Sequence, residues 1–61
     1  MQRQVVRLRK SRKLSPYKLA KLAGISRSHL MAIEGGRTDP SIGTLGKIAA
    51  ALGVAVTELL K

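Results

Sequence analysis

The chemistry available to this 61-residue chain is the chemistry of cations. Twelve Lys and Arg stand against three acids, a net charge of +9, and the excess lies at one end. Residues 1–37 carry ten Lys or Arg and a single acid, Glu34, whereas residues 38–61 balance Lys47 and Lys61 against Asp39 and Glu58. Basicity this one-sided bears on partners rather than on fold, and it points first to a polyanion such as nucleic acid. The plainer reading is a solvated face that keeps the chain in solution. Bond-breaking chemistry is poorly provided for. With three acids, one His and no Cys, no spacing suggests a carboxylate pair or a nucleophile with its base, so no enzyme is expected. His29 alone makes no metal site, no cofactor or small-molecule substrate is implied, and without Cys there is neither disulfide nor thiolate ligand.

Elements must hold those cations in a fixed array, and the start of a helix is written three times between Leu14 and Leu45. Leu14-Ser15 precedes Leu19, Ile25-Ser26 precedes Leu30, and Pro40-Ser41 precedes Leu45. A Ser at the N-cap accepts a hydrogen bond from an orphan helix N–H, while the apolar residue before it staples onto the fourth helical residue. A first helix is expected over about Gln2 to Arg12, with Val5 and Leu8 inward and Arg3, Arg7, Lys10 and Lys13 in water. The second starts after Ser15, with Pro16 at a first helical position that needs no N–H, and turns Leu19, Leu22 and Ala23 inward. Gly24 suits a left-handed turn, after which Ser26 opens a third helix with Leu30 and Ile33 beneath it and Arg27, Ser28, Met31 and Ala32 on other faces. Two short helices with so brief a turn form a helix-turn-helix.

The third helix is expected to stop at Gly35-Gly36, and Gly36 to Pro40 reads as a loop. A fourth helix carries the stripe Ile42, Leu45, Ile48, Ala49, Leu52 and ends at Gly53. A fifth, about Val56 to Leu60, repeats the opening phrase with Ala55 in place of the capping Ser, and Glu58 stands where a capping box would place it. Gly43 and Gly46 inside the fourth helix have no sequence-level reason, unless something packs closely there. The expectation is one all-α domain over residues 1–61, of five short helices. A chain this short buries only roughly 60% of its unfolded surface, so a partner or a second copy would add needed burial. The N-terminus lacks a secretory apolar run and no segment nears the ~18 to 20 apolar residues of a membrane span, which favours a soluble, cytoplasmic protein with no membrane partner.

Pro16, Ala20, Gly24, Ile25, Leu30 and Ile33 place a small residue where two helices nearly touch, Gly in the turn, and branched residues beneath the second helix. With these stand Leu8-Arg9, Leu14-Ser15, Leu19, Ala23, Ser26, Glu34, Gly36-Arg37, Pro40-Ser41, Leu45, Ile48-Ala49, Leu52-Gly53 and Glu58-Leu59. Across nearly its whole length the chain resembles the lambda-repressor-like helix-turn-helix family of phage Cro and CI repressors and xenobiotic-response-element regulators. The resemblance implies a compact five-helix domain whose third helix lies in the DNA major groove, and a homodimer that reads a two-fold-related site.

Carried over position by position, the resemblance implies base contacts at Arg27, Ser28 and Ala32, with Met31 alongside. Arg27 can make a bidentate contact with guanine, while Ala32 and Met31 can touch a thymine methyl; a phosphate contact for Arg27 and a packing role for Met31 stay open. Family members often place Gln at the first position of helix 2 to hold a phosphate, but Pro16 supplies no donor. The clamp then shifts to Tyr17 and Lys18, or to Lys13 and the Ser15 hydroxyl. Gly35 replaces a commonly polar phosphate-binding position, where Gly35 and Gly36 can offer backbone N–H groups, and Arg37 matches a basic phosphate-binding position. Arg9 and Glu34 correspond to a structural ion pair, and His29 is expected to be exposed near the DNA side or packed against Tyr17. Val54, Val56 and Leu60 exceed what one short terminal helix can bury, and either form a dimer contact or complete the core.

The leading expectation is sequence-specific binding of double-stranded DNA by a transcriptional regulator of repressor type. The alternative is a protein-interaction module of the same fold, an antitoxin or a transcriptional bridging domain. A cationic membrane-surface peptide fits less well, because the inward stripes are narrow and the helix ends are capped.

Overall fold

Each of the three Ser-capped helix starts is made in the same way. In the computed structural model, which describes residues 2–61, the helices are α1 (Gln2–Ser11), α2 (Pro16–Ala23), α3 (Arg27–Glu34), α4 (Ile42–Leu52) and α5 (Val56–Leu59). Ser15, Ser26 and Ser41 are extended N-caps whose side chains accept from the N–H groups of Lys18, His29 and Thr44 at 3.0, 3.0 and 3.1 Å. Ala55 occupies the fourth cap position without a side-chain bond. Glu58 does not complete a capping box there: its carboxylate accepts instead from Lys61 Nζ at 3.1 Å, on an exposed rim. α5 therefore begins without a side-chain cap, a loss of about 1 kcal/mol.

The helix exits share a second device. Gly24, Gly36 and Gly53 have φ of 72°, 74° and 72°, and Lys13 has φ of 56°. After each, an N–H reaches back over the last turn: Leu14 to the Arg9 carbonyl, Ile25 to Ala20, Arg37 to Ala32 and Val54 to Ala49, at 2.9–3.1 Å. This is the double-bonded exit of the Schellman motif, and it satisfies carbonyls that the helix end would leave orphaned. Three of the four interhelical turns are then one repeated three-residue unit: a left-handed residue, an apolar residue and an N-cap, as Lys13-Leu14-Ser15, Gly24-Ile25-Ser26 and Gly53-Val54-Ala55. The middle residue closes one helix and staples the next, which is why Leu14, Ile25 and Val54 pack against the core.

Into that core α1 sends Val5 and Leu8, α2 Leu19, Ala20 and Ala23, α3 Leu30 and Ile33, α4 Leu45, Ile48, Ala49 and Leu52, and α5 Leu59. α4 packs on α2, α5 and α1, and α3 packs on α2 and α1, so α2 is backed by the longest helix and α3 by α1. Two expected core residues lie outside. Leu22 is 52% exposed, because Leu19, Ala20 and Ala23 define the covered side of α2 and Leu22 falls beyond its edge. Ile42 is 76% exposed: it sits on the apolar side of α4 but in a first turn that no neighbour covers. α1 and α5 each end one residue earlier than expected, at Ser11 and Leu59. Val54 and Val56 are partly buried against the core, whereas Leu60 is 57% exposed.

No close approach explains the glycine in the middle of α4. A Cβ built at Gly46 meets nothing within 4 Å. Gly46→Ala is therefore expected to stabilise the fold by about 1 kcal/mol, read as a rise of roughly 4–8 °C in the thermal midpoint. Lys13→Gly relieves a left-handed Lys at some cost in unfolded-state entropy, and a smaller gain of about 0.5 kcal/mol is expected in the same melt.

Candidate nucleic-acid interface

α3 is held at its far end by a buried fork. Arg9 Nε donates to Glu34 Oε2 at 2.8 Å and Nη2 to Glu34 Oε1 at 3.1 Å, a bidentate pair between α1 and the last residue of α3. Arg9 Nη1 also donates to the Leu14 carbonyl at 2.9 Å, immediately before the Ser15 cap of α2. The side chains of Arg9 and Glu34 are only 10% and 6% exposed. One guanidinium thus fixes the end of α3 and the start of α2 against α1. The bond to Leu14 gives no direct signal in the sequence; only the need to satisfy every donor of a buried Arg could have suggested it.

Glu34 is thereby committed to Arg9, and Glu58 to Lys61. Among the described residues no carboxylate lies in ion-pair contact with Lys13, Lys18, Lys21, Arg27 or Arg37. Their field is left uncompensated along the ends of α2 and α3, and a polyanion is the partner that would compensate it. Arg27 is the first residue of α3, and Arg27 and Ser28 are exposed, with Met31 40% exposed and Ala32 half-buried one turn further on. His29 is exposed as well.

At the start of α2 the donors are few. Pro16 has no N–H, the Lys18 N–H is taken by Ser15 Oγ, and the Tyr17 N–H at the second helical position has no acceptor among the described residues. The side chains of Ser15, Tyr17 and Lys18 are exposed. At the end of α3 the expected glycine donors are committed. The Gly35 N–H bonds the Met31 carbonyl at 2.9 Å and the Gly36 N–H bonds Ile33 at 3.1 Å, because both close the helix. An anion at this corner would meet the exposed Arg37 side chain rather than those two N–H groups.

A five-helix array with a tight α2–α3 turn, an exposed α3 and unpaired cations around it defines a class: a helix-turn-helix DNA-binding domain. The chain belongs to the helix-turn-helix family, whose model matches residues 5–59. It is 45% identical over 53 residues to the immunity repressor protein of Bacillus phage phi105, a match covering 87% of this chain and 37% of that protein. It therefore spans little more than a third of the length of that relative. Its structure is similar to the N-terminal DNA binding domain of SinR from Bacillus subtilis, with a TM-score of 0.93 and 36% identity, over 98% of this chain and 88% of that one. No described helix is long and apolar enough to cross a membrane.

The fork makes a sharp stability prediction. Glu34→Gln leaves the Arg9 charge buried without its counter-ion and should cost about 3–5 kcal/mol, a large share of what a small domain has. The double replacement Arg9→Met with Glu34→Met should recover part of that loss, the remainder reflecting the unpaired Leu14 carbonyl. Urea midpoints of the wild type, single and double variants measure both; a Glu34→Gln midpoint equal to wild type would show the pair to be dispensable.

Proposed function

We propose that residues 1–61 form one DNA-binding unit that acts in the cytoplasm as a homodimer, reads the major groove with α3 and represses transcription. The observation that carries this reading is Arg27, exposed at the first position of a capped helix and without a carboxylate partner. α3 is eight residues long, about 12 Å, and a major groove about 12 Å wide admits such a helix end-on or obliquely.

In this arrangement Arg27 engages guanine O6 and N7, Ser28 donates or accepts at a neighbouring base edge, and Ala32 with Met31 meets thymine methyls. Ser15, Tyr17 and Lys18 hold phosphate on one side of the groove. Arg37, at the corner made by Gly35 and Gly36, holds it on the other. Those contacts fix docking and supply affinity without carrying sequence information. Val54, Val56 and Leu60 form the contact between copies. Leu60 offers the open apolar surface, and the two valines keep partial exposure beside it. A relative named as an immunity repressor and a structural neighbour named as a DNA-binding domain support the same reading. The role is one of binding rather than catalysis.

Selection of bound duplexes from a random pool at physiological salt tests it. The wild type should recover a palindrome with half-sites about one helical turn apart. Arg27→Ala should lose roughly 1–3 kcal/mol of preference at one guanine in each half-site. Affinity should fall with salt at a log–log slope of about −0.9 per phosphate neutralised. Retention of all duplexes without sequence preference would sink the reading.

A further inference from the structure

α1 carries a face that neither the core nor the α3 surface uses. Arg3, Arg7 and Lys10 follow one another at helical spacing and share the side of α1 opposite the buried Val5, Leu8 and Arg9. All three are exposed, and among the described residues none lies in ion-pair contact with a carboxylate. Where that face meets the end of α3 there is an open groove of about 460 Å³, lined by Arg3, Val6, Arg7, Lys10 and Glu34. A second groove, between α2 and α3, is lined by Ser15, Pro16, Tyr17, Arg27 and Met31 and belongs to the surface proposed above for DNA. The two share no residue.

The chemistry of the α1 groove selects its occupant. Val6 gives it an apolar wall, half-buried yet apart from the core cluster. Its one acid, Glu34, is 6% exposed and held by the Arg9 fork, so it does little to repel an arriving anion. Arg7 is partly pre-set, its Nε donating to Gln4 Oε1 at 2.8 Å, and its Nη groups remain for a ligand. A second copy of this chain is a poor occupant: two domains of net charge +9 repel, and outside the fork each has only Asp39 and Glu58 to offer. A duplex backbone brings phosphates but no apolar side chain to seat on Val6.

An acidic protein segment brings both, and an apolar centre within a charged rim is the ordinary anatomy of a protein interface. The three cations rise along α1 by about 6 and 4.5 Å, the spacing at which a second helix presents carboxylates one turn apart. We propose that this groove docks an acidic, amphipathic helix of a partner protein, with an apolar side chain on Val6 and carboxylates around it paired with Arg3, Arg7 and Lys10. Because Glu34 closes the groove, the partner sits against the clamp that orients α3. The docking does not depend on base reading by α3.

The probe is a short acetylated and amidated helical peptide bearing one Leu with Glu residues a turn to either side. It is labelled for fluorescence anisotropy and titrated into the whole chain at fixed salt. It should bind saturably, and in two-dimensional NMR the amides from Arg3 to Lys10 and at Glu34 should shift while those from Arg27 to Met31 stay still. Gln in place of the peptide's Leu should weaken binding about fivefold, and Gln in place of every Glu should abolish it. The double replacement Arg3→Gln with Lys10→Gln, at exposed positions, should weaken it about fivefold and remain folded by circular dichroism. Arg27→Ala should leave it unchanged. Equal binding of the Leu and Gln peptides would reveal general attraction of anions and overturn the proposal. Absence of saturable binding, shifts centred on α3, an undiminished affinity in the double variant, or a duplex of random sequence that moves the same α1 amides at lower concentration would overturn it as well.

Discussion

The orientation of the helix pair depends on one buried guanidinium. Arg9 spends three donors on two chain segments, the Glu34 carboxylate at the end of α3 and the Leu14 carbonyl ahead of α2. Removing two charges from water is expensive, and a bidentate geometry with a further hydrogen bond is what offsets it. An apolar contact of the same size would supply burial without direction. The planar fork accepts only a narrow range of angles between α1 and α3, so it fixes the direction in which α3 presents its exposed face. No buried side-chain polar atom among the described residues lacks a partner, so burying the fork leaves no desolvated polar group uncompensated.

Around that clamp the fold is made from short-range rules applied repeatedly. A left-handed residue, an apolar residue and an N-cap turn the chain three times, and the apolar member belongs to the helix on each side. Helices of eight residues are too short to be stable alone. Capping and stapling therefore matter more here than propensity does, and they also set register. Once Gly24, Ile25 and Ser26 take their conformations, the first residue of α3 is Arg27 and no other. The repeat is least complete at its two ends. Lys13 holds a conformation that favours Gly, and Ala55 cannot cap, so the α1–α2 and α4–α5 turns are the strained and weak members of the set.

Those same rules explain what the sequence made legible. Five helices, their caps and the glycine exits are local events, and the residues that direct them are contiguous. The errors came where the outcome depends on what lies across the molecule. Leu22 has the right type and nearly the right spacing for the core, but the covered side of α2 is decided by where α3 and α4 pack. Ile42 keeps the α4 stripe and still has no neighbour. The Gly35 and Gly36 donors looked available because a glycine pair suggests an anion nest, yet α3 needed them to close its own carbonyls. Glu58 had a choice between an N–H and an ammonium, and Lys61 was within reach. For the candidate site, Arg27, Ser28, Met31 and Ala32 could be placed on α3 from spacing alone, while the groove that joins Met31 to Pro16 and Tyr17 depends on how α2 meets α3.

Pro16 shows how affinity and specificity trade within so small a surface. A residue that donates to phosphate at this position adds binding energy to every duplex alike, because every duplex carries the same backbone. Nine net charges already provide that kind of attraction, and more of it would strengthen non-specific binding as much as specific. Proline gives up both donors and leaves an apolar wall beside Arg27. On a strongly cationic domain a further phosphate donor would add affinity without discrimination, and Pro16 at the start of α2 supplies none.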